Sequence, residues 1–326
     1  MILDKFERVH NYLRISLTDS CNFRCSYCMP DEQIVSMSSA QLMSPDEIEK
    51  ISQIFINLGV NKIRLTGGEP LVRKDFAEIS TRLSKLNTDL TITTNGFLVD
   101  KYLNIFKSSG IHSVNVSLDS LRPEVFKKLT KRDHFHNVWN NIALLLENDF
   151  RVKINVVALN GIIEDEIIDF IAETKSRPLH IRFIEFMPFT GNKWESGKVV
   201  TADQMLKMVT PIFDVIKLED EPNATAKKYK VPGFEGTFAF ITTMSNLFCG
   251  DCNRLRLTAD GKLKNCLFGK DEIDLLGAFR NGEDIIPLIH KSASMKHREA
   301  GGQFPKSFHD TEADKIINRS MIGIGG

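Results

Sequence analysis

The sequence predicts an α/β fold, in which six βα-type units form an incomplete (β/α)6 TIM-like barrel that is followed by a C-terminal extension. Three observations support this prediction. Short apolar, β-branched runs alternate with segments of helical period over the first two thirds of the chain. Those runs become polar or glycine-rich at their carboxyl ends. Six cysteines fall into two triplets, one near the N-terminus and one in the extension.

The composition argues against some classes of function. The 326 residues carry 42 basic and 42 acidic side chains, and this balance gives no indication of nucleic-acid or anionic-membrane binding. No run reaches the roughly 20 apolar residues that span a bilayer, and the N-terminal residues contain no apolar signal-peptide core. We therefore expect a cytoplasmic protein, whose cysteines are kept reduced and do not form a disulfide framework.

The barrel domain is predicted to cover residues 1–217. Alternating strands and helices predict a parallel sheet, and right-handed crossovers would curl six units into a barrel two units short of the closed eight. The first helix has the clearest start, because Ser44 and Glu47 form a capping box around Pro45. The predicted strands are residues 13–18, 62–66, 90–94, 113–118, 152–159 and 179–186. The predicted helices between them lie at 44–58, 99–107, 123–147 and 164–174.

The remainder of the chain is predicted to form two segments. Residues 218–236 are polar, have no clear period and are interpreted as a variable linker. Residues 237–326 form the extension. In it, Asp260-Gly261 lies between two short apolar runs and predicts a β-hairpin. The predicted elements of the extension are strands at 237–242, 255–258 and 262–266 and helices at 273–279 and 283–295.

The carboxyl ends of the predicted strands indicate where an active site lies, because this face of a parallel βα barrel carries the catalytic groups. The loop with the first cysteine triplet follows the first strand and so opens onto the same face. We therefore expect one cavity, shared by the cysteines and by the polar strand ends. These ends include Asp19, Glu69, Asn95, Asp119 and Glu185.

The first triplet, Cys21, Cys25 and Cys28, has the spacing C-x3-C-x2-C. Three thiolates so close in sequence suit a soft metal or an iron–sulfur cluster. A structural zinc site normally needs four ligands, and no nearby cysteine or histidine supplies the fourth. A cubane cluster on three thiolates keeps one iron open, where a small chelating molecule can bind and receive an electron. A loop with free or zinc-bound cysteines is the alternative.

The second triplet, Cys249, Cys252 and Cys266, has the spacing C-x2-C-x13-C. A C-x2-C pair is most often half of a zinc ribbon, but a ribbon needs a second pair and only one cysteine remains. A second iron–sulfur cluster with an open iron fits better. Arg254 and Arg256 follow on one side of a strand, where they suit phosphate or purine recognition. A strand with solvated arginines is the alternative.

Basic residues also lie inside apolar strand runs. A charged side chain in such a run is costly unless it faces a cavity or a partner. The occurrence of these residues on several strands predicts a polyanionic ligand inside the barrel. They are Arg14, Arg64, Lys153 and Arg182.

The turn Gly67-Gly68-Glu69-Pro70 ends the second predicted strand. It is not a phosphate loop, because the lysine and hydroxyl of that motif are missing. Its two glycines allow a ligand to approach the backbone closely, and Glu69 can hold an amino group. An ordinary tight turn is the alternative.

Several motifs together resemble the radical S-adenosylmethionine superfamily. The first triplet, with Tyr27 before its last cysteine, and the Gly-Gly-Glu-Pro turn carry the signature of that superfamily. Other motifs are similar to the branch that cyclises GTP for molybdenum cofactor biosynthesis, from residue 5 or so to the C-terminus. These motifs are Thr93-Thr-Asn-Gly, Asn115-Val-Ser-Leu-Asp, Arg182-Phe-Ile-Glu-Phe-Met-Pro, Cys252-Asn-Arg-Leu-Arg-Leu and the terminal Gly-Gly.

The resemblance implies cofactors and contact residues. It implies a [4Fe–4S] cluster on each triplet, with S-adenosylmethionine on the open iron of the first and the guanine of GTP on that of the second. The residues implied to contact S-adenosylmethionine are Tyr27, Gly68, Glu69, Ser117 and Met187. Those implied to contact GTP are Arg14, Arg64, Thr93, Lys153, Arg254, Leu255 and Arg256. The terminal Gly325 and Gly326 are implied to reach the active site and to be needed for activity.

The resemblance also implies a reaction and partners. A radical formed from S-adenosylmethionine would remove hydrogen from C3′ of GTP, and C3′ would then bond to C8. The implied partners are an electron donor of the flavodoxin or ferredoxin type, a downstream cyclic pyranopterin monophosphate synthase and a second copy of the chain in a homodimer. Two other functions stay open: a radical S-adenosylmethionine enzyme that acts on a peptide, and a zinc-binding scaffold. The arginine pair and the Gly-Gly tail favour the nucleotide.

Overall fold

The computed structural model describes residues 1–28 and 36–325. In these residues, one 12-stranded sheet carries the fold, and helices pack against it. The strands are β1 (Tyr12–Ser16), β2 (Lys62–Thr66), β3 (Asp89–Thr94), β4 (Ser113–Ser117), β5 (Arg151–Ala158), β6 (His180–Glu185), β7 (Ile216–Lys217), β8 (Ala226–Lys230), β9 (Thr237–Ile241), β10 (Arg254–Leu257), β11 (Lys262–Lys264) and β12 (Ile273–Asp274).

Most helices lie between consecutive strands. The first begins as predicted, since Ser44 Oγ accepts a hydrogen bond from Glu47 N at 3.2 Å and the Glu47 carboxylate accepts one from Ser44 N at 2.7 Å. The second, seventh and tenth helices were not predicted, and the tenth lies in a terminal stretch whose sequence is typical of a loop. The helices are α1 (Pro45–Asn57), α2 (Phe76–Leu83), α3 (Val99–Ser108), α4 (Pro123–Thr130), α5 (Phe135–Glu147), α6 (Ile167–Ala172), α7 (Ala202–Val209), α8 (Leu275–Arg280), α9 (Ile286–Ser294) and α10 (Met321–Ile324).

The strands β1 to β6 are parallel neighbours in chain order, which confirms the predicted βα alternation. Two further parallel strands flank them, and both come from the predicted extension. β10 pairs with β1, and β9 pairs with β6. The extension is therefore built into the same sheet, where it contributes one parallel strand to each side of the six-stranded array. The predicted hairpin is confirmed, because β10 and β11 pair antiparallel.

The segment interpreted as a linker contains a strand that the sequence did not predict. β8 lies in it and pairs antiparallel with β7 and β9. The ring of Tyr229 stacks on Phe238 at 5.6 Å between centroids and meets Phe240 edge-on at 5.5 Å. Lysines occupy three of the five positions of β8, so the local pattern is polar. Pairing with β9 and aromatic contact, rather than intrinsic propensity, produce this strand.

The apolar core lies between the sheet and the helices. In α1, the residues Ile48, Ile51 and Phe55 are buried at helical spacing on one face. Phe76 of α2 packs edge-on against Phe106 of α3, with 6.1 Å between ring centroids. The helices thus cover the outer face of the sheet and leave its inner face for polar side chains. Among the described residues, no helix is both long and apolar enough to cross a membrane.

The parallel strands curve around their inner face. Neighbouring strands lie about 4.8 Å apart, so a flat array of eight would be roughly 34 Å wide. Side chains from β1, β3, β4, β5, β6, β9 and β10 nevertheless line one cavity. This convergence requires a strongly curved sheet, as in a partial barrel.

Candidate active site

The first triplet lies on the loop that follows β1, where backbone hydrogen bonds hold it against the end of α4. Arg24 N donates to Thr130 O at 3.0 Å, and Ser26 N donates to Leu129 O at 2.9 Å. The Arg24 guanidinium turns back and donates to Cys21 O at 2.5 Å. These bonds fix the loop through its backbone and leave the thiols available as ligands.

The Gly-Gly-Glu-Pro turn packs directly against this loop. A Cβ atom on Gly68 would lie 2.5 Å from Ser20 O and 2.8 Å from Asp19 O, so a side chain does not fit here. The close approach brings the end of β2 beside the first triplet. The glycine therefore serves the packing of two backbone segments as well as access for a ligand.

The Glu69 carboxylate braces the same corner of the sheet. One oxygen accepts hydrogen bonds from Leu71 N at 3.0 Å and Thr94 Oγ1 at 2.7 Å, and the other accepts one from Asn95 N at 2.6 Å. Burial raises the pKa of Glu69 to about 7, although these donors oppose the rise. In the described structure, the predicted contact with a ligand amino group would have to compete with these bonds.

A cavity of about 180 Å³ opens beside the first triplet. The three cysteines line it, together with four of the five residues predicted to contact S-adenosylmethionine. These lining residues are Cys21, Cys25, Cys28, Tyr27, Gly68, Ser117 and Met187. Tyr27 is held in place because its hydroxyl donates to Asp119 Oδ2 at 2.5 Å, while Val157 N donates to Asp119 Oδ1 at 2.8 Å.

Carboxylates flank the thiols of the first triplet. Burial raises the pKa of Cys21 to about 11, and the charge of Glu69 adds to the rise. Burial, the neighbouring thiol of Cys21 and the charge of Asp119 raise the pKa of Cys28 to about 12. Both shifts favour the neutral thiol. A bound cation would stabilise the thiolates instead, which is how metal ligation normally proceeds at such a site.

The second triplet is set among cations. The Lys296 ammonium donates to Cys252 Sγ at 3.4 Å and to Arg254 O at 3.0 Å. Burial raises the pKa of Cys252, but the charges of Lys296 and Arg254 outweigh it and lower the pKa to about 7. Ala300 N donates to Cys249 Sγ at 3.4 Å. The second triplet thus has hydrogen-bond donors directed at two of its sulfurs.

An N-terminal arginine supports the loop of the second triplet. Arg8 Nη1 donates to Cys249 O at 2.6 Å and to Arg298 O at 2.9 Å, and Nη2 donates to His297 O at 2.9 Å. Arg8 Nε donates to Asp4 Oδ2 at 2.6 Å. No motif pointed to this support, because Arg8 and Cys249 are 241 residues apart.

Three arginines occupy matching positions on adjacent parallel strands. Arg14 of β1 lies beside Arg256 of β10 on one side and Arg64 of β2 on the other. Side chains at matching positions of a sheet point to the same face, so the three positive charges are neighbours. Like charges in such positions repel each other. This arginine row is therefore unfavourable unless an anion lies against it.

Other cationic groups share this environment. Buried guanidinium nitrogens of Arg14, Arg182 and Arg254 have no hydrogen-bond partner within the described residues. Burial, with the charge of Arg64, lowers the pKa of Arg182 to about 9. Burial, with the charges of Arg182 and Arg64, lowers that of Lys153 to about 8. An anionic ligand would satisfy the unpartnered donors and oppose both shifts.

A second cavity of about 180 Å³ adjoins these residues. The second triplet lines it, together with four of the seven residues predicted to contact GTP. These lining residues are Cys249, Cys252, Cys266, Arg14, Thr93, Arg254 and Arg256. Arg64 lies behind the lining, where it donates to the Tyr12 hydroxyl and, at 3.4 Å, to Thr93 Oγ1.

Leu255 differs from the other residues predicted to contact GTP. Its side chain is only 1% exposed and belongs to the apolar core. Strand alternation explains this, because Arg254 and Arg256 point to the cavity and the residue between them points away. A contact from Leu255 would therefore have to come from its backbone.

Sequence reasoning missed part of the second cavity. Asn115 and Asn155 line it, and the side-chain oxygen of each is buried without a partner among the described residues. Arg182 also lines it, and this residue is one of the basic strand residues from which a polyanionic ligand was predicted. The two asparagines lie at matching positions beside such basic residues, Asn115 beside Lys153 and Asn155 beside Arg182.

The C-terminal tail reaches between the two triplets. Met321 lines both cavities and Ile322 lines the first. The Gly325 carbonyl accepts a hydrogen bond from Arg256 Nη1 at 2.6 Å. The tail thus lies beside both cavities as far as Gly325, and Gly326 lies outside the described residues. The role of the two glycines in activity stays a prediction.

The two cavities adjoin each other and together form one composite site. Their linings share five residues: Thr93, Asn155, Ile184, Met187 and Met321. Each triplet therefore opens onto this site from its own end. Of the polar strand ends expected to share a cavity with the cysteines, Asn95 and Asp119 line it. Asp19, Glu69 and Glu185 do not line either cavity.

The donor set fits iron–sulfur clusters. Each triplet presents three free thiols to its cavity, which leaves one side open for a further ligand. Across residues 1–28 and 36–325, no group of three or more His, Cys, Asp or Glu residues could hold a metal ion. That finding concerns a single ion. The thiolates of a cluster bind different irons and stand farther apart than the ligands of one ion.

Two family profiles match the chain. The profile of the Radical SAM superfamily matches residues 15–173, and the profile named Molybdenum Cofactor Synthesis C matches residues 179–301. The boundary between the matches falls just before β6. The first triplet lies within the first match, and the second triplet lies within the second.

Curated relatives match over the whole chain. A mitochondrial GTP 3′,8-cyclase of Arabidopsis thaliana is 44% identical, with 100% of this chain and 84% of the relative covered. A GTP 3′,8-cyclase of Peptoclostridium acidaminophilum is 40% identical, with 100% and 98% covered. Molybdenum cofactor biosynthesis protein 1 of Mus musculus is 44% identical, with 99% and 51% covered. The chain thus spans about half the length of several curated relatives that it matches.

Solved structures share the fold. SuiB of Streptococcus suis, bound to S-adenosylmethionine, superposes with a TM-score of 0.63 at 16% identity. The match covers 89% of this chain and 69% of SuiB. At this identity the likeness concerns the fold alone.

Proposed function

Because the chain belongs to the GTP 3′,8-cyclase family of radical S-adenosylmethionine enzymes, we propose that it converts GTP to 3′,8-cyclo-7,8-dihydro-GTP in molybdenum cofactor biosynthesis. The reaction forms a carbon–carbon bond between C3′ and C8. One observation carries the proposal: a single site has a cysteine triplet at each end and unpartnered cationic side chains at the second.

At the first end, we assign Cys21, Cys25 and Cys28 to one [4Fe–4S] cluster. The chemistry supplied by a bound cluster and S-adenosylmethionine is one-electron cleavage of the sulfonium bond, which starts hydrogen abstraction from the substrate. The chain's own part is to position the ligand. Tyr27, which Asp119 fixes, lines the cavity together with Gly68, Ser117 and Met187.

At the second end, we assign Cys249, Cys252 and Cys266 to the other [4Fe–4S] cluster, which the guanine meets. Arg14 and Arg256 lie at matching positions in the cavity wall, and Arg254 adds unpartnered donors. In this proposal the phosphates accept hydrogen bonds from these groups and relieve the repulsion within the arginine row. Arg64 contributes positive charge from behind the lining, and Lys153 contributes it from the position beside Asn115.

The tail closes the site in this proposal. Met321 and Ile322 place apolar surface between the two ends, and Gly325 is held by Arg256. The tail thereby limits access of water to the reacting atoms. Gly325 and Gly326 act as positioning residues in this role.

Three partners are proposed from the family relationship. An electron carrier of the flavodoxin or ferredoxin type would supply the electron at the first end. A cyclic pyranopterin monophosphate synthase takes over the product. A second copy of the chain forms a homodimer.

The test is an anaerobic reaction of the reconstituted protein with S-adenosylmethionine, dithionite and GTP. We expect 5′-deoxyadenosine to form together with a cyclised nucleotide, and the protein to hold about eight irons per chain. The control omits GTP. Formation of 5′-deoxyadenosine that does not exceed this control would overturn the proposal. A content of about one or two zinc ions per chain instead of iron would favour the alternative function, a zinc-binding scaffold protein.

A further inference from the structure

Arg319 precedes α10, the short helix that leads to Gly325, and it pairs with two carboxylates at once. Its Nε and Nη2 donate to the two oxygens of Glu272 at 2.7 and 2.5 Å. Its Nη1 and Nη2 donate to the two oxygens of Asp260 at 2.8 and 3.0 Å. Such bidentate geometry on both edges of one guanidinium fixes its position and its orientation.

Both carboxylates are themselves held. Thr258 Oγ1 donates to Asp260 Oδ1 at 2.6 Å, and Lys264 Nζ lies 3.3 Å from Glu272 Oε1. The side chains of Arg319, Asp260 and Glu272 are 21%, 18% and 17% exposed, so the group is largely shielded from water. Ion pairs of this kind are stronger than exposed surface pairs. We call these three residues the tail clamp.

Neighbouring bonds secure the chain just before the clamp. Ile317 exchanges two hydrogen bonds with the side chain of Gln303, at 2.9 and 3.1 Å. Asn318 Nδ2 donates to Leu267 O at 2.9 Å, next to Cys266. By contrast, α10 contains four residues, and a helix this short does not hold itself. The path of the tail is therefore set by its base, by the burial of Ile322 and Ile324, and by the bond to Arg256 near its tip.

We propose that Arg319 is a positioning residue for the tail: through Asp260 and Glu272 it fixes where the tail enters the site, and so it holds Gly325 beside Arg256. Asp260 lies in the turn of the hairpin whose first strand carries Arg256. Base and tip of the tail are thus attached to one rigid element. The link between tail position and turnover rests on the proposed function, whereas the position itself does not.

Digestion of the reconstituted protein with a carboxypeptidase tests the position. Release of C-terminal glycine, measured by mass spectrometry, should become about tenfold faster in Arg319→Gln, because the tail leaves the cavity more often. The double variant Asp260→Asn/Glu272→Gln should behave in the same way, and Arg319→Lys should be intermediate. The matched control is Arg280→Gln, which removes a bidentate pair with Glu47 outside the cavity linings and should match the parent.

A kinetic comparison tests the consequence. In Arg319→Gln, kcat for GTP should fall about tenfold, while KM and iron content stay within about twofold of the parent. Glycine release that stays at the parent rate in Arg319→Gln and in the double variant overturns the clamp, whether or not GTP is turned over. If Arg319→Gln releases glycine faster but the parent protein does not convert GTP, the tail clamp is supported and the proposed function is refuted. If Arg319→Gln loses iron, the rate of glycine release from Arg319→Lys tests the tail clamp instead.

Discussion

The two cysteine triplets differ in their spacing and in their electrostatic surroundings. Burial and the charge of Glu69 raise the pKa of Cys21 to about 11 in the first triplet. In the second, burial also raises the pKa of Cys252, but Lys296 and Arg254 outweigh it and bring the pKa to about 7. At the first end carboxylates flank the thiols, whereas at the second end cations lie beside Cys252, although burial raises the pKa of Cys249 there.

This difference suggests how one composite site sorts two ligands. A polyanion is attracted to the arginine row and is disfavoured beside Glu69 and Asp119, which repel it. A ligand with a positively charged group is favoured at the first end for the converse reason. In the proposed function, sorting by charge would place each ligand next to its own triplet, which the spacing of the cysteines alone would not do.

The largest expected effect comes from removing one cysteine of either triplet, because the two variants should differ in S-adenosylmethionine cleavage. Cys21→Ser removes a thiolate of the first, and we expect the loss of about four irons and of all S-adenosylmethionine cleavage. Cys252→Ser should lose a similar amount of iron but retain cleavage that is uncoupled from product, because the first end stays intact. Iron analysis and chromatography of 5′-deoxyadenosine measure both. Equal loss of S-adenosylmethionine cleavage in the two variants would contradict the assignment of this cleavage to the first triplet.

The next effect concerns the tail that joins the two ends. Gly325 has a φ of 83°, and a Cβ there would lie 2.7 Å from Thr66 Oγ1 and 2.8 Å from Ser16 Cβ. Gly325→Ala should therefore displace the tail and reduce product formation about 100-fold, as misplacement by about 1 Å can do. Iron content should not change. The product is measured chromatographically.

Gly323→Ala is the matched control for this variant. The nearest neighbour of a Cβ atom there would be the Arg319 Cδ atom at 3.5 Å, which is an ordinary contact distance. Turnover should therefore stay within about twofold of the parent. Equal activity of the two variants would show that the path of the tail near Gly325 does not matter for the reaction.

A smaller effect tests the cationic end. Arg14→Gln should weaken GTP binding by about ten- to a hundredfold, since hydrogen bonds to charged groups contribute about 1.5–3 kcal/mol. Guanosine, which lacks phosphates, should bind as before. The ligand-free protein should not lose stability, because one repelling charge is removed from the arginine row. Calorimetric titration measures binding, and thermal unfolding measures stability.

The control for this variant is Arg122→Gln. Arg122 is 43% exposed and lies 3.6 Å from Asp165, outside the cavity linings, so GTP affinity should not change. If Arg14→Gln weakens guanosine binding as strongly as GTP binding, the arginine row does not recognise phosphate.

Local signals predicted much of this architecture from the sequence. Alternating periods identified β1 to β6, and the capping box of Ser44 and Glu47 identified the start of α1. Cysteine spacing identified both triplets. Leu255 is instructive, because resemblance made it a substrate contact while strand alternation already pointed its side chain into the core. The predicted contact of Leu255 with GTP therefore stays a prediction that concerns its backbone.

Contacts between distant segments could not be predicted from the sequence. β8 is a strand because β9 is its partner, although its own sequence is rich in lysine. Lys296 meets Cys252 from 44 residues away, and Arg8 meets Cys249 from 241 residues away. The charge environment that distinguishes the two triplets comes largely from such contacts. It depends on tertiary packing, which no local pattern encodes.

The smallest expected effect tests the carboxylate end. Burial raises the pKa of Glu69 from its ordinary 4.5 to about 7, so from pH 6 to 8 the folded state releases a proton that the unfolded state has already lost. The stability that this proton provides is present at low pH and is lost as pH rises through 7. Glu69→Gln does not titrate. We expect Glu69→Gln to lower the free energy of unfolding by about 1–3 kcal/mol, because its amide is a weaker hydrogen-bond acceptor than the carboxylate. This difference from the parent should become about 1.4 kcal/mol smaller between pH 6 and pH 8.

Anaerobic denaturant unfolding of the cluster-loaded protein at pH 6, 7 and 8 measures this difference. Glu78→Gln is the control, because Glu78 is 53% exposed beside Arg82 and should show a small effect that does not depend on pH. A gap between parent and Glu69→Gln that stays constant over this range would mean that Glu69 is ionised throughout. The Glu69 charge would then be balanced by its three donors rather than destabilised by burial. The first end of the site would repel a polyanion more strongly than the raised pKa implies, which would sharpen the contrast with the second end.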